Sequence, residues 1–152
     1  KMESTLANTI KGFSKYILST SPDLIIVHGD RIEALAGAIV GSLNNILVGH
    51  IEGGELSGTI DELIRHAITK MSHLHFVSNN EAFLRLQQLG ELKKSIHIIG
   101  SPDLDLMNPK TLPSDKKVKS YYGIEYDRYA IAMYHPVTTE VIDLEKHIKI
   151  FI

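Results

Sequence analysis

The sequence contains no cysteine. That absence excludes disulfides, thiolate metal sites and cysteine nucleophiles, and it fits a reducing cytoplasm. Neither sign of charge dominates: 16 Lys and Arg stand against 18 Asp and Glu, for a net charge of −2. No basic stripe is present, so nucleic acid and anionic membrane are not expected as partners. No apolar run reaches the ~18 residues that a bilayer span needs. The opening KMESTLANTIKGF has no secretory apolar core. Internal repeats and low-complexity tracts are missing too. What remains is an ordinary globular balance, 43% hydrophobic and 22% charged over 152 residues, enough for a core of its own.

The apolar pattern alternates between short runs and helical spacing. Leu6, Ile10, Phe13, Ile17 and Leu18 predict a helix that Ser21-Pro22 ends. Buried strands are expected at 23–29, 46–51, 74–79 and 95–100, with helices at 31–44, 59–72 and 81–90 between them. Gly90 reads as a helix C-cap. A short helix or turn runs through Tyr122, followed by a strand at 129–136 and a final helix over 139–152. Strands apolar on both faces, separated by helices, predict an α/β fold: a Rossmann-like parallel sheet with helices on both sides. Proline and lysine accumulate and periodicity weakens over 103–125, which marks a boundary. The chain opens in a helix and closes on IKIFI, so it reads as the middle of a longer protein.

In such sheets ligands bind beyond the carboxyl ends of the strands. Those ends carry His28-Gly29-Asp30-Arg31, His50-Ile51-Glu52-Gly53-Gly54-Glu55, Ser78-Asn79, Gly100-Ser101 and His135-Pro136. Asp30 has a plain alternative role as the N-cap of the following helix. Glu52 caps nothing obvious. The glycines after it allow a tight turn or a close approach to a ligand. A phosphate cradle is rejected for this turn, because Glu52 and Glu55 flank it and a P-loop lysine is lacking. Thr59 and Glu62 have capping-box spacing. Asp61 and Arg65 lie four apart on one helix face and are expected to pair. His66, His73 and His75 invite a metal reading that is set aside in favour of structural or surface roles. No metal is expected. His28, His50 and His135 are the better functional histidines, since each ends a strand.

Taken in order, HGDRIEALA, HIEGGELSGTIDELIRHAITK, IIGSPDLDLM and HPVTTE resemble the UDP-N-acetylglucosamine 2-epimerase family over the whole chain. The text HIEGGELSGTIDELIR is most similar to the hydrolysing branch, which feeds sialic and other nonulosonic acid pathways. The resemblance implies a two-domain GT-B-type architecture. Residues 1–102 would be the later part of the N-terminal Rossmann-like domain, 103–126 the crossover and 127–152 the start of the C-terminal domain. It implies anti elimination of UDP to a 2-acetamidoglucal, then hydration to a free 2-epimer of the N-acetylmannosamine type. UDP-N-acetylglucosamine and a UDP-2,4-diacetamido sugar are the candidate substrates, and no cofactor is implied. Asp30, Glu52, Asp61 and His135 match the catalytic positions. Arg31, Arg65, Gly53, Gly54 and Ser101 are expected to meet the substrate. Position 61 is Asp where the non-hydrolysing pattern has Glu. Family members are commonly dimers, which implies a homodimer or higher homo-oligomer. The alternatives are a non-hydrolysing epimerase, a GT-B glycosyltransferase and a ligand-binding domain on the same scaffold.

Overall fold

The computed structural model of the chain describes residues 1–136 and 141–152. These divide into two compact units, Lys1–Leu112 and Pro113–Ile152. The first unit runs α1 (Met2–Thr20), β1 (Leu24–His28), α2 (Ile32–Leu43), β2 (Leu47–Ile51), α3 (Ile60–Lys70), β3 (Leu74–Val77), α4 (Asn80–Gln88), β4 (Ile96–Ile98) and the short α5 (Asp103–Leu106). The strands form a 4-stranded parallel sheet in sequential order, β1-β2-β3-β4. The fold is α/β with a Rossmann-like sheet.

Local signals set the helix ends. Ser21 turns left-handed at φ 45° and its N–H closes α1 on the Ile17 carbonyl at 2.8 Å. The Asn79 side chain caps α4 by accepting from the Ala82 N–H at 2.8 Å. Gly90, at φ 90°, follows the last turn of α4. Thr59 caps α3, accepting from the Asp61 N–H at 3.3 Å. The capping box expected there is extended: the Glu62 carboxylate reaches past Thr59 to the N–H groups of Ser57 and Gly58, both at 2.8 Å.

Helices on both sides of the sheet were expected; in the first unit they pack on one. Ile25, Val27, Val48, His50, His75, Val77 and Ile96 point to that face and are buried. Ile17 of α1, Ala38 and Val40 of α2, and Ile64 and Ile68 of α3 close over β1 and β2, while Ala82 and Leu86 of α4 close over β3 and β4. Leu18, expected in the buried stripe of α1, is exposed. On the opposite face Leu24, Ile26 and Leu47 are 40–56% exposed, so these strands are not buried on both sides as predicted. The reason is topological. Right-handed crossovers between strands laid down in one direction put every connecting helix on the same face.

The second unit holds α6 (Asp115–Tyr122) and α7 (Leu144–Phe151). Ser114 caps α6 at one end and left-handed Gly123 closes the other. Tyr134 packs against Phe151, with ring centroids 5.4 Å apart. The strand expected at 129–136 does not form. Among the described residues of this unit no strand is present to pair with it, and a lone strand leaves its backbone groups without ladder partners. The predicted final helix begins at Leu144 after a 3-10 turn at Val141–Asp143, and its expected start at 139–140 lies outside the described residues.

Candidate active site

Because the strands are parallel, their carboxyl ends share one edge. Backbone bonds extend the ladder there. Gly29 N–H donates to the Ile51 carbonyl at 3.0 Å, and Glu52 N–H to the Phe76 carbonyl at 2.8 Å. Glu52 leaves the sheet at φ 63°, a left-handed conformation. For a residue with a Cβ this costs about 1 kcal/mol, and such strain collects at functional sites. Two donors hold its carboxylate. His28 Nε2 lies 2.8 Å from Oε2, and Ser101 Oγ donates to Oε1 at 3.0 Å. Burial pushes the Glu52 pKa up. The bonds from His28 and Ser101 and the charges of His28 and Arg65 outweigh it and hold the group below the ordinary carboxylate range.

Asp30 does not cap α2. That position belongs to Arg31, whose side chain makes no capping bond. Asp30 instead accepts from the Arg65 guanidinium. Arg65 is 9% exposed at its side chain, and its Nη1 also donates to the Glu55 carbonyl at 2.9 Å. The Asp61–Arg65 pair predicted from their spacing is therefore absent. The fork of Arg65 turns inward, where its two acceptors are partly buried and the bonds are charge-assisted. Asp61 stays exposed at the start of α3, its carboxylate accepting from the Thr59 hydroxyl at 3.3 Å. Among the described residues it makes no bond to Asp30, Glu52 or Arg65. Arg31 is 80% exposed and lies 3.8 Å from Glu33.

The Gly53-Gly54-Glu55 turn is clamped from below. A Cβ on Gly53 would come within 2.9 Å of His50 Nδ1 and 3.0 Å of Thr69 Oγ1. Gly54 sits at φ 85°, and its Cβ would meet Leu86 Cδ1 at 2.6 Å and the Ala82 carbonyl at 2.8 Å. These glycines let the turn lie flat on α3 and α4. Arg85 of α4 donates to the Gly54 carbonyl, and Asn79 Nδ2 to Glu55 Oε1 at 3.1 Å. Arg85 carried no signal in the sequence and Asn79 stood out only as a strand-end residue, since each reaches a partner at least 24 residues away.

Two of the end-of-strand histidines separate sharply. His28 is half exposed at the edge, whereas His50 is fully buried. His50 Nε2 lies 2.9 Å from the Gly29 carbonyl and Nδ1 lies 3.1 Å from Thr69 Oγ1. Burial, opposed by the Gly29 bond and reinforced by His75, Arg65 and His28, pushes its pKa down to about 4. His50 is thus a neutral strut under the site. His75 pairs with Glu91 at 3.1 Å, and His73 accepts from the Val48 N–H at 3.1 Å. Among the described residues no cluster of His, Cys, Asp or Glu could hold a metal ion, and no helix is long and apolar enough to cross a membrane. His135 lies in the second unit and is exposed there.

A parallel α/β sheet with a strained acid and a buried-arginine ion pair at its carboxyl edge defines a Rossmann-like domain of the kind that binds ligands at that edge. The family described as UDP-N-acetylglucosamine 2-epimerase matches residues 1–151, and the chain belongs to that family. It is 58% identical over 139 residues to the UDP-N-acetylglucosamine 2-epimerase of Neisseria meningitidis serogroup B, covering 91% of this chain and 37% of that protein. It is 41% identical over 142 residues to the hydrolyzing UDP-N,N'-diacetylbacillosamine 2-epimerase of Legionella pneumophila, covering 92% of this chain and 37% of that protein. Among solved structures, the UDP-GlcNAc 2-epimerase of Methanocaldococcus jannaschii in complex with UDP-GlcNAc and UDP superposes with a TM-score of 0.75 at 26% identity. That match covers 81% of this chain and 35% of that one. The chain spans little more than a third of the length of these relatives.

Proposed function

We propose that this chain supplies the carboxylate edge of a hydrolysing UDP-N-acetylhexosamine 2-epimerase. The substrate is UDP-N-acetylglucosamine or a UDP-2,4-diacetamido sugar. In this reading residues 1–102 belong to the N-terminal domain, 103–126 to the crossover and 127–152 to the C-terminal domain. The observation that carries the proposal is Glu52. A non-glycine residue held left-handed, with both carboxylate oxygens engaged, sits at the edge where this fold binds ligands.

The chemistry asks for such groups. The C2 proton is weakly acidic, so its removal needs a positioned base. The electron pair left at C2 forms the C1–C2 double bond as the C1–O bond breaks and UDP departs. Water then adds, its oxygen to C1 and a proton to the opposite face of C2. Glu52 and Asp61 carry the proton transfers, and Asp30, fixed by Arg65, orients the sugar or shares a proton. Arg31, exposed beside Asp30, is available to the diphosphate. Gly53 and Gly54 carry Glu52 toward the sugar and Ser101 holds its carboxylate. His135 enters the proposal through the match of HPVTTE, of which residues 137–140 lie outside the described residues.

Two observations support hydrolysis: the shorter acid at position 61 and the hydrolyzing relative from Legionella. The name of the Neisseria relative carries no such qualifier, which keeps the non-hydrolysing epimerase as a second reading. A proton NMR time course of the full-length protein with UDP-N-acetylglucosamine in deuterated water separates them. Free UDP with a free 2-epimer deuterated at C2 is the expected result. A nucleotide-linked 2-epimer selects the second reading. If the signals stay unchanged with this sugar and with the diacetamido sugar, the epimerase proposal is wrong.

A further inference from the structure

Resting on the reading of this edge as an elimination site, we infer that His28 is the positioning residue of Glu52 and holds that carboxylate as the base that takes the C2 proton. The assignment comes from geometry. His28 is the last residue of β1 and Glu52 the first residue beyond β2, and β1 pairs His28 with Ile51 in register. The strained turn at Glu52 swings its side chain back to His28, and Ser101 approaches the other oxygen from beyond β4. Oε2 accepts from one donor and Oε1 from another. A carboxylate bound by two donors is locked in rotation and keeps a lone pair on each oxygen. The two donors favour the charged, accepting form of the acid, and a spare lone pair is where the C2 proton would be received. The arrangement therefore fits an acceptor before elimination and not a donor.

The charged neighbourhood agrees. Arg65 from α3 adds positive potential but is already bonded to Asp30 and the Glu55 carbonyl. From α4 and its cap, Arg85 and Asn79 reach Gly54 and Glu55 and not Glu52. His50, beneath the turn, is engaged by Gly29 and Thr69. Among the described residues His28 is thus the titratable group bonded directly to Glu52, with the hydroxyl of Ser101 as its neutral counterpart. In the reaction the C2–H bond breaks and its proton moves to a Glu52 oxygen, while the electron pair forms the C1–C2 double bond and UDP leaves from C1. Asp61, exposed and bonded at its carboxylate only by the Thr59 hydroxyl among the described residues, is left for the proton or water needed on the other face.

The test is the pH profile of UDP release by the full-length protein with His28→Ala, His28→Gln and Ser101→Ala. His28→Ala is expected to move the acidic limb of kcat/KM upward by about one pH unit. Its kcat should fall at least about tenfold while KM changes less than about threefold. His28→Gln keeps an N–H donor and should recover part of kcat, and Ser101→Ala should shift the limb less. An unmoved acidic limb in His28→Ala overturns the assignment. Carbon-13 NMR of labelled glutamate, with Glu52→Gln identifying the signal, gives a reading that needs no turnover. Glu52 must titrate higher in His28→Ala than in wild type, and equal midpoints overturn the proposal whatever the reaction. A shifted midpoint in a protein that releases no UDP sinks the epimerase reading and leaves the pairing standing.

Discussion

Arg65 in α3 is bonded to Asp30 at the end of β1, 35 residues earlier in the chain, and closes the candidate site across the sheet edge. Its other nitrogen holds the Glu55 carbonyl, so one buried guanidinium fixes the loops after both β1 and β2. Replacing it with methionine would leave Asp30 without its partner and Glu55 without its donor. We expect Arg65→Met to lose about 3 kcal/mol of stability, read as a lower urea midpoint. Arg65→Lys should rescue it only in part, since an ammonium cannot span both acceptors as a planar fork does. Equal midpoints for Arg65→Met and wild type would show that the two bonds contribute nothing net.

Gly54 and Gly58 offer an internal control. Both have positive φ, at 85° and 66°, but a Cβ on Gly54 strikes the Ala82 backbone while one on Gly58 meets nothing. Gly58→Ala should cost about 1 kcal/mol, from its backbone conformation alone. Gly54→Ala should cost more than about 2 kcal/mol and displace the turn bearing Glu52. Thermal unfolding of the two variants measures the difference, and equal losses would refute the packing argument.

His50 makes stability depend on pH. Folding lowers its pKa from 6.5 to about 4, so between these values the unfolded chain binds the proton and the folded chain does not. His75, lowered mainly by burial, adds in the same direction. Their contribution is fully present above pH 6.5 and is lost as pH falls toward about 4. For His50 the loss is of the order of 3 kcal/mol. Urea unfolding at pH 7.5 and 4.5 should show the fall, and His50→Gln should flatten it. An unchanged slope in His50→Gln would mean that other groups carry the pH dependence.

The carboxylates are expected to matter for turnover and not for binding the nucleotide. Asp30→Asn, Glu52→Gln and Asp61→Asn should each reduce turnover at least about a hundredfold. UDP affinity, measured by calorimetry, should stay within about threefold of wild type. Loss of UDP binding in all three variants would instead make this edge a nucleotide cradle.

Asp61→Glu tests the proposed link between the shorter acid at position 61 and hydrolysis. One added methylene would extend the acid into space available to water, so the ratio of free sugar to nucleotide sugar in the products should fall. An unchanged ratio removes side-chain length at position 61 as the cause.

Most of the architecture was legible in the residue pattern. Period and punctuation placed the helices and strands of residues 1–100 within a few positions, because each is specified by neighbours a few residues away. Ser21-Pro22, Thr59 and Gly90 act over one turn and read correctly. The strand expected at 129–136 failed because a strand needs a second strand, and apolar composition says nothing of whether one is there.

At the site, residue types were visible and partnerships were not. Ending buried strands on His28, Asp30, Glu52 and Ser101 is a property of the chain in one dimension, and parallel strands turn that property into a shared edge. Which acid meets which base depends on side chains brought together over long separations: 24 residues for His28 and Glu52, 35 for Asp30 and Arg65, 49 for Glu52 and Ser101. The four-residue spacing of Asp61 and Arg65 suggested a local pair, and the partly buried acceptors above α3 won instead. The same holds for the histidines. Primary structure put His28 and His50 in equivalent places at neighbouring strand ends, and strand pleat sent one to the edge and the other into the core. Amino-acid order carries the periodicities and the turn chemistry; burial, and with it the charge state and partner of each polar group, exists only once the helices have closed over one face of the sheet.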